Sequence, residues 1–309
     1  MQVIKGGLLT TIQDRGRFGY RKLGIPQSGV LDSRAYRQAN WLVANLPDAP
    51  VLECTLLGGK FRFEQATVIA ITGADMVATL NDLPCQMNRS ISIKTDDILT
   101  LGYAKQGART YIGIQGLPEI RQVMASYSTY TLGGFGGYKG RALQAGDSLK
   151  WKIEHPKNPN RTLPEHVLPH FSTEKNIIRL IRGPEWEKLS PSAQKLFENT
   201  FYTIQNDSNR MGIRLAGEPL QLNENYLMPS SATLPGTVQL PPNGQPIVLM
   251  HDGQTTGGYP RIAKVIDADL GRIAQIPYSG SLCFRMIDES EARQLLLYKN
   301  EKEVYDDRS

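Results

Sequence analysis

Apolar runs of four or five residues, each cut short by Gly, Asn, Asp or Pro, recur along the whole chain and leave little room for long helices. They occupy 67–71 (TVIAI), 98–101 (ILTL), 110–114 (TYIGI), 177–181 (IIRLI) and 237–240 (TVQL). Runs this short, rich in β-branched residues and bounded by turn formers, read as strands, so a mainly β protein is expected. The clearest hairpin joins TVQL to the apolar run PIVLM at 246–250 through PPNGQ, where Asn243 and Gly244 supply the turn. Few helices are expected. Asp32 is placed to N-cap 33–45, where Ala35, Ala39, Leu42 and Val43 share a face and Pro47 follows. A second helix is expected over 288–303, with Ala292, Leu295, Leu296 and Lys299 on one stripe, and a short one over 192–198.

With 309 residues, 40 % hydrophobic and 21 % charged, the chain has material for two domains of ordinary globular composition. Residues 151–174 hold four prolines and three of the four histidines without either hydrophobic period, and read as a linker. The expected division is therefore an N-terminal β domain over 1–150, a linker over 151–175 and a C-terminal β domain over 176–309 carrying the last helix. A faint repeat spans the divide. Residues 56–63 (LLGGKFRF) and 215–222 (LAGEPLQL) share Leu-x-Gly-x-x-apolar-x-apolar, which fits either two related domains or shared strand grammar.

The net charge of +5 is scattered, with no basic run to mark a nucleic-acid surface, and small anionic substrates remain compatible. Cys54, Cys85 and Cys283 are far apart and odd in number, which argues against a disulfide framework or a thiolate zinc site and for a cytoplasmic location. His166 and His170 have the spacing of a zinc-binding helix, but Pro164 and Pro169 break any such helix, and no metal site is expected. No signal-like N-terminus or membrane-length apolar run is seen.

Three polar constellations interrupt the strand pattern. The first, TTIQDRGRFGY at 10–20, sets Gln13, Asp14, Arg15 and Arg17 around Gly16 and Gly19. It reads as a surface turn with a local ion pair, or as a carboxylate-binding or docking loop, since a guanidinium grips a carboxylate bidentately. The second, LGGFGGYKGR at 132–141, contains Gly133, Gly134, Gly136, Gly137 and Gly140, but Lys139 stands where a dinucleotide fingerprint needs glycine, and no Walker pattern is present. A flexible loop or lid is expected, with Lys139 and Arg141 available to an anion and the hydroxyls of 126–129 beside it. The third, HDGQTTGGYPR at 251–261, follows the buried run PIVLM with far more hydrogen-bonding groups than a turn requires. Asp252, Gln254, Thr255 and Thr256 offer polar side chains, and Gly257 and Gly258 let backbone N–H groups approach a ligand. It reads equally as a ligand loop or as a hydrogen-bonded tie between strands. No GxSxG elbow, HExxH or Walker lysine accompanies them, so a self-sufficient hydrolase or kinase is not legible.

Taken together, TTIQDRGRFGYRKLGIPQSGVLD, Leu52–Glu53, the Ser-Thr and glycine-loop stretch, SNRMGIRLAG at 208–217 and VQLPPNGQPIVLMHDGQTTGGYPRIA resemble the allophanate hydrolase second-subunit-like family. That family includes the KipA regulator, the C subunit of bacterial 5-oxoprolinase and the C-terminal half of the urea carboxylase carboxyltransferase domain. The resemblance spans about residues 5–290. It implies two cyclophilin-like β-barrel domains in tandem, a B-type companion chain (KipI/PxpB in kind), an A-type companion chain, and ATP-dependent opening of the 5-oxoproline lactam to glutamate. A lactam is a poor electrophile, and phosphorylating its carbonyl oxygen creates a leaving group; each ~1.36 kcal/mol removed from the barrier is worth about tenfold in rate. In that chemistry Asp252 is expected to accept the ring N–H and Gln254 with a Thr hydroxyl to hold the carbonyl region. Arg17 or Arg261 would pair with the substrate carboxylate, and Gln13, Asp14, Gly257, Gly258 and Tyr259 would complete the pocket. ATP is expected at the level of the complex, with no nucleotide motif to locate it, and no biotin-accepting lysine is present. Gln115–Gly116 and His251 depart from the family pattern, and His251 is given no general-base role. The resemblance also admits a regulatory protein that binds a kinase-inhibitor partner, or a carboxyltransferase component acting on urea-like amides.

Overall fold

The computed structural model describes residues 1–153, 156–168, 171, 176–223 and 228–302, the side chains of 300–302 excepted. It is mainly β, as the strand pattern requires, and divides into two compact units. Unit 1 comprises Met1–Arg17 and Ser28–Phe171; unit 2 comprises Phe18–Gln27 and Ser172–Ser309. The ten-residue segment Phe18–Gln27 thus belongs to the unit built from the C-terminal half, an interleaving that the expected division at 150 does not contain.

Unit 1 carries two five-stranded sheets. One runs in the order Gln2–Lys5, Lys60–Arg62, Ile98–Thr100, Thr79–Leu80, Leu83–Pro84, and the other Leu9–Gln13, Val51–Thr55, Gln106–Ile114, Thr67–Asp75, Ile91–Ile93. Val3, Phe61 and Leu99 from the first meet Ile12, Leu52, Ile69 and Ile112 from the second in one buried cluster. The opposite face of the second sheet is covered by helix Ser33–Leu42, whose Ala35, Tyr36 and Ala39 pack with Val51 and Tyr111. Burial on both faces explains why Thr67–Asp75 and Gln106–Ile114 read as continuous apolar runs and not as alternating ones. Asp32 caps the helix by accepting from the Arg34 and Ala35 backbone N–H groups at 3.1 and 3.2 Å. The helix stops short of the expected residue 45 because Ala44 takes a left-handed φ of 54°.

The described part of 151–175 is less a linker than an outer layer of unit 1. Trp151–Lys152 pairs with Leu117–Pro118, and Leu163 and Val167 are buried. Arg34 Nη2 and Gln38 Nε2 both donate to the Val167 carbonyl, at 2.7 and 3.0 Å. His166 lies in a single 3-10 turn, Glu165–Val167; His155 and His170 lie outside the described residues.

Unit 2 is a closed seven-stranded barrel in the order Asn176–Arg182, Arg261–Val265, Thr237–Gln239, Ile247–Leu249, Gly212–Ala216, Phe201–Ile204, Ser281–Met286. Closure comes from parallel pairing of Asn176–Arg182 with Ser281–Met286; the remaining ladders are antiparallel. The expected hairpin is present, with Val238 opposite Val248 and Gln239 opposite Ile247. Helix Pro191–Asn199 begins with Ser190 Oγ accepting from the Ala193 N–H at 3.1 Å and holds Phe197 against Trp186, Tyr202 and Phe284. The final helix is Glu289–Lys302. The 56–63 motif leads into strand Lys60–Arg62, whereas at 215–222 the strand Gly212–Ala216 ends inside the motif, so the two copies share grammar without sharing a strand.

Candidate functional site

The barrel register of unit 2 decides what surrounds the loop at 251–261. Gly212 stands opposite Leu249, so the residues that continue these two strands, Arg210 and Asp252, meet beyond the ladder. The Asp252 N–H donates to the Arg210 carbonyl at 3.0 Å, and the Arg210 guanidinium donates Nε to Oδ2 at 2.8 Å and Nη2 to Oδ1 at 3.2 Å. Both side chains are buried, 5 % and 3 % exposed. A carboxylate so deeply desolvated requires such a partner. The expectation that Asp252 offers its carboxylate to a ligand N–H therefore meets a guanidinium already in place, and Asp252 acts as the foundation of the loop.

Arg261 is likewise committed. It donates Nε and Nη2 to the two oxygens of Glu185 at 2.9 and 2.8 Å, and Nη1 to the Ala232 carbonyl at 3.0 Å. Burial pushes the Glu185 carboxyl up, but the hydrogen bonds from the Arg261 side chain and backbone outweigh it and hold the group below the usual carboxylate range. Pairing with a substrate carboxylate would require Arg261 to give up this bidentate contact.

Between these two ion pairs the loop is tied by Thr256–Gly257, which pairs with Ser231–Ala232. Thr233 donates its N–H to the Thr255 carbonyl at 3.0 Å and its hydroxyl to the Gln254 carbonyl at 2.6 Å. Gln254 Nε2 donates to Gln239 Oε1 at 3.1 Å. Arg21, from the segment Phe18–Gln27, donates Nη2 to the Thr233 carbonyl at 2.5 Å. Gln254, Thr256, Gly258 and Tyr259 remain exposed. Both readings of the loop hold together: its backbone fastens strands, and its side chains stay presented.

In unit 1, Asp14 is a buried hydrogen-bonding hub. Its Oδ1 accepts from the Gly16 N–H at 2.8 Å, Ser126 Oγ at 2.7 Å and Ser128 Oγ at 2.5 Å, and its Oδ2 accepts from the Tyr127 N–H at 2.6 Å. Gln13 donates Nε2 to Thr11 Oγ1 and to the Thr129 carbonyl and accepts the Gly29 N–H. Arg17 is 1 % exposed, donates to the Ser128 carbonyl and lies 5.0 Å from the Phe135 ring centroid. This is neither an exposed turn with a local Asp–Arg pair nor an open anion loop. It is a buried fastening of 13–17 to 126–129 and the glycine loop. Arg17, like Arg261, reaches a ligand carboxylate only after rearrangement.

The glycine loop is also more ordered than a lid. The Gly134 N–H donates to the Thr131 carbonyl, Gly137 to Tyr127 and Gly140 to Gly136, so amides that would cradle a phosphate are used internally. Gly133 is exposed at the turn, and the Lys139 ammonium lies 5.0 Å from the Tyr138 ring. Arg141 is not available to an anion: it grips both Asp147 oxygens at 2.7 Å. The Arg141 hydrogen bonds lower the Asp147 pKa against the opposing effect of burial.

Four groups that shape these sites escape a reading of the motifs. Arg210 and Glu185 are the charge partners of Asp252 and Arg261, at sequence separations of 42 and 76 residues. Gln239 lies inside an apolar-looking strand, and Arg21 belongs to a segment that joins the other unit. The usable signal was the requirement that charges flanking buried strands find partners. Glu53 accepts the Leu31 N–H at 3.0 Å and the Tyr111 hydroxyl at 2.8 Å, which fixes the start of the helix. Among the described residues no group of three His, Cys, Asp or Glu side chains is arranged to hold a metal, and no helix is long and apolar enough to cross a membrane.

A family model described as carboxyltransferase domain, subdomain A and B, matches residues 23–286. The chain is 38 % identical over 292 residues to the 5-oxoprolinase C subunit of Escherichia coli K12, covering 94 % of this chain and 93 % of that protein. It is 36 % identical to the 5-oxoprolinase C subunit of Haemophilus influenzae, covering 96 % and 93 %. Among solved structures, the Kluyveromyces lactis urea carboxylase superposes with a TM-score of 0.93 at 30 % identity, over 98 % of this chain and 29 % of that one. With a model match over most of its length and near-full-length relatives well above 30 % identity, the chain belongs to the carboxyltransferase-domain family of subdomains A and B.

Proposed function

We propose that this chain is the C-type subunit of a cytoplasmic 5-oxoprolinase, which opens 5-oxo-L-proline to L-glutamate with consumption of ATP. The observation that carries this reading is the identity of 38 % and 36 % to two bacterial 5-oxoprolinase C subunits, each covered over 93 % of its length. The unit 2 loop is consistent with it: an exposed set of amide, hydroxyl and phenol groups, Gln254, Thr256 and Tyr259, rests on two buried or half-buried ion pairs. Such a platform orients a small polar ring without supplying a nucleophile.

No nucleotide motif in the sequence places the ATP of the proposed reaction on this chain. In the glycine loop the Gly134, Gly137 and Gly140 amides are bonded internally and Arg141 is held by Asp147. Activation of the lactam is therefore assigned to the complex, with a B-type and an A-type companion chain, and no biotin is assigned to this chain. Within the complex, Gln254 and Thr256 hold the carbonyl region of the lactam, and the Arg210–Asp252 pair keeps the loop in register. The test is coexpression with both companion chains, followed by glutamate release measured with and without ATP and 5-oxo-L-proline. Release that requires all three chains, ATP and 5-oxo-L-proline supports the assignment; absence of release from a stable three-chain complex rejects it.

A second reading, carboxyl transfer to a urea-like amide, is favoured by the superposition on urea carboxylase and by 33 % identity to the Lachancea kluyveri urea amidolyase, of which the chain spans 17 %. It predicts turnover of urea, bicarbonate and ATP with a biotinylated partner in place of lactam hydrolysis. A KipA-type regulatory role has no comparable observation behind it.

A further inference from the structure

Gln239 is the most deeply buried polar side chain near the 251–261 loop, at 1 % exposure. It ends the barrel strand Thr237–Gln239, between Ile247 on one side and Arg261 on the other. The pairing with Arg261–Val265 shifts register between Val238 and Gln239, since Val238 faces Ala263 and Gln239 faces Arg261. Irregularities of this kind re-aim a side chain and are common beside functional sites. Here the amide is aimed at Gly257: a Cβ built on that glycine would stand 2.5 Å from Gln239 Nε2.

One end of the amide is satisfied and the other is not. Oε1 accepts from Gln254 Nε2 at 3.1 Å, whereas Nε2 has no hydrogen-bond partner among the described residues. Buried amide donors are rarely left so. Arg21 Nη1 and Ser231 Oγ are also buried without a partner among those residues. Arg21 connects to Gln239 through a continuous series of hydrogen bonds running by way of Thr233 and Gln254. All three atoms are able to donate, and the neighbouring carboxylates of Asp252 and Glu185 are held by Arg210 and Arg261. The surplus is therefore of donors, and its complement is a ligand oxygen.

We propose that Gln239 is a substrate-recognition residue, its Nε2, packed against the side-chain-free face of Gly257, donating to the carbonyl oxygen of a small amide held at the 251–261 loop. The ligand class rests on the proposed function, but the geometry asks only for a carbonyl, so a urea-like amide would satisfy it equally. The bond needs no catalytic proton, because the donor stays protonated throughout. Its effect is to select and orient a carbonyl compound, and its loss raises KM more than it lowers kcat.

The experiment has a kinetic and a spectroscopic arm. In the reconstituted complex, Q239M, which keeps the volume and removes the donor, and G257A, whose Cβ would push the Gln239 amide aside, are each expected to raise KM for 5-oxo-L-proline about tenfold or more. The full chain, selectively 15N-labelled at glutamine, is then titrated with 5-oxo-L-proline, 2-pyrrolidinone and L-proline; the Gln239 side-chain amide signal is identified by its absence from Q239M. Shifts with the two carbonyl compounds and none with L-proline are expected. An unchanged KM in both variants, or an amide signal unmoved by saturating 2-pyrrolidinone, overturns the assignment. If Q239M does not fold, G257A, which keeps the Gln239 side chain but displaces its amide, carries the KM readout and identifies the Gln239 signal by its shift relative to wild type. Failure of the wild-type complex to release glutamate would instead count against the proposed function, leaving the 2-pyrrolidinone titration as the test of Gln239.

Discussion

The Arg210–Asp252 pair supports the loop at 251–261, and D252N isolates its contribution. Asparagine keeps the shape of the side chain but leaves the 5 %-exposed Arg210 cation without its counter-charge. Breaking a buried ion pair by removing one partner costs about 3–5 kcal/mol, because the remaining charge stays desolvated. Taking ~4 kcal/mol and a urea m-value of ~2 kcal/mol/M, the unfolding midpoint of unit 2 should fall by about 2 M. Trp186, buried in the unit 2 core, reports this transition once Trp41 and Trp151 are replaced by phenylalanine, since the chain has three tryptophans. The double variant R210M/D252L removes both charges and should recover most of the loss, as buried pairs replaced by apolar residues of similar volume often do. A D252N midpoint within about 0.3 M of the parent, the range of an exposed ion pair, would refute the reasoning.

Four further outcomes are expected. For Glu185, whose folded pKa is depressed, the stabilisation is fully present above its unfolded value of roughly 4.3 and is lost as pH falls through the folded value. The stability gap between wild type and E185Q should therefore be widest near neutral pH and close on acidification; a gap constant between pH 7 and pH 3 contradicts the assignment. G140A should destabilise unit 1 far more than G134A, because both glycines have positive φ but only at Gly140 would a Cβ run into backbone, that of Gly134. Comparable urea midpoints for the two variants would show that the loop does not fold back on itself as described. Cys54, fully buried with its thiol pushed up to about 12 by burial, should resist iodoacetamide at pH 8 in the folded chain and react after denaturation; rapid labelling of the folded chain would contradict its burial. R141Q should leave Asp147 without its bidentate partner and lower stability at neutral pH, with a smaller deficit in acid, as unfolding curves at the two pH values would show.

The elements themselves were readable from local pattern. Asp32 before an apolar 3.6-residue face and Asn243-Gly244 between two apolar runs are short-range signals, and each produced the element it marks. The partners were not. Glu185 with Arg261, Arg210 with Asp252 and Ser126 with Asp14 meet across 42 to 112 residues, and only the barrel and sheet registers bring them together. For the same reason the most polar motif residues proved hardest to interpret: a carboxylate near a buried strand looks available in sequence, while burial obliges it to be paired. Gln239 was hidden by the opposite effect, a polar residue inside an apolar run whose significance rests on a register shift that no composition shows.

The central claim is that the 251–261 loop of unit 2 grips a small amide through its carbonyl oxygen. A crystal structure of the reconstituted complex with saturating 5-oxo-L-proline measures this directly. The lactam should lie at the 251–261 loop, its carbonyl oxygen within hydrogen-bond distance of Gln239 Nε2 and the Arg210–Asp252 pair intact. A lactam bound away from this loop, or none bound at saturation, would contradict the claim.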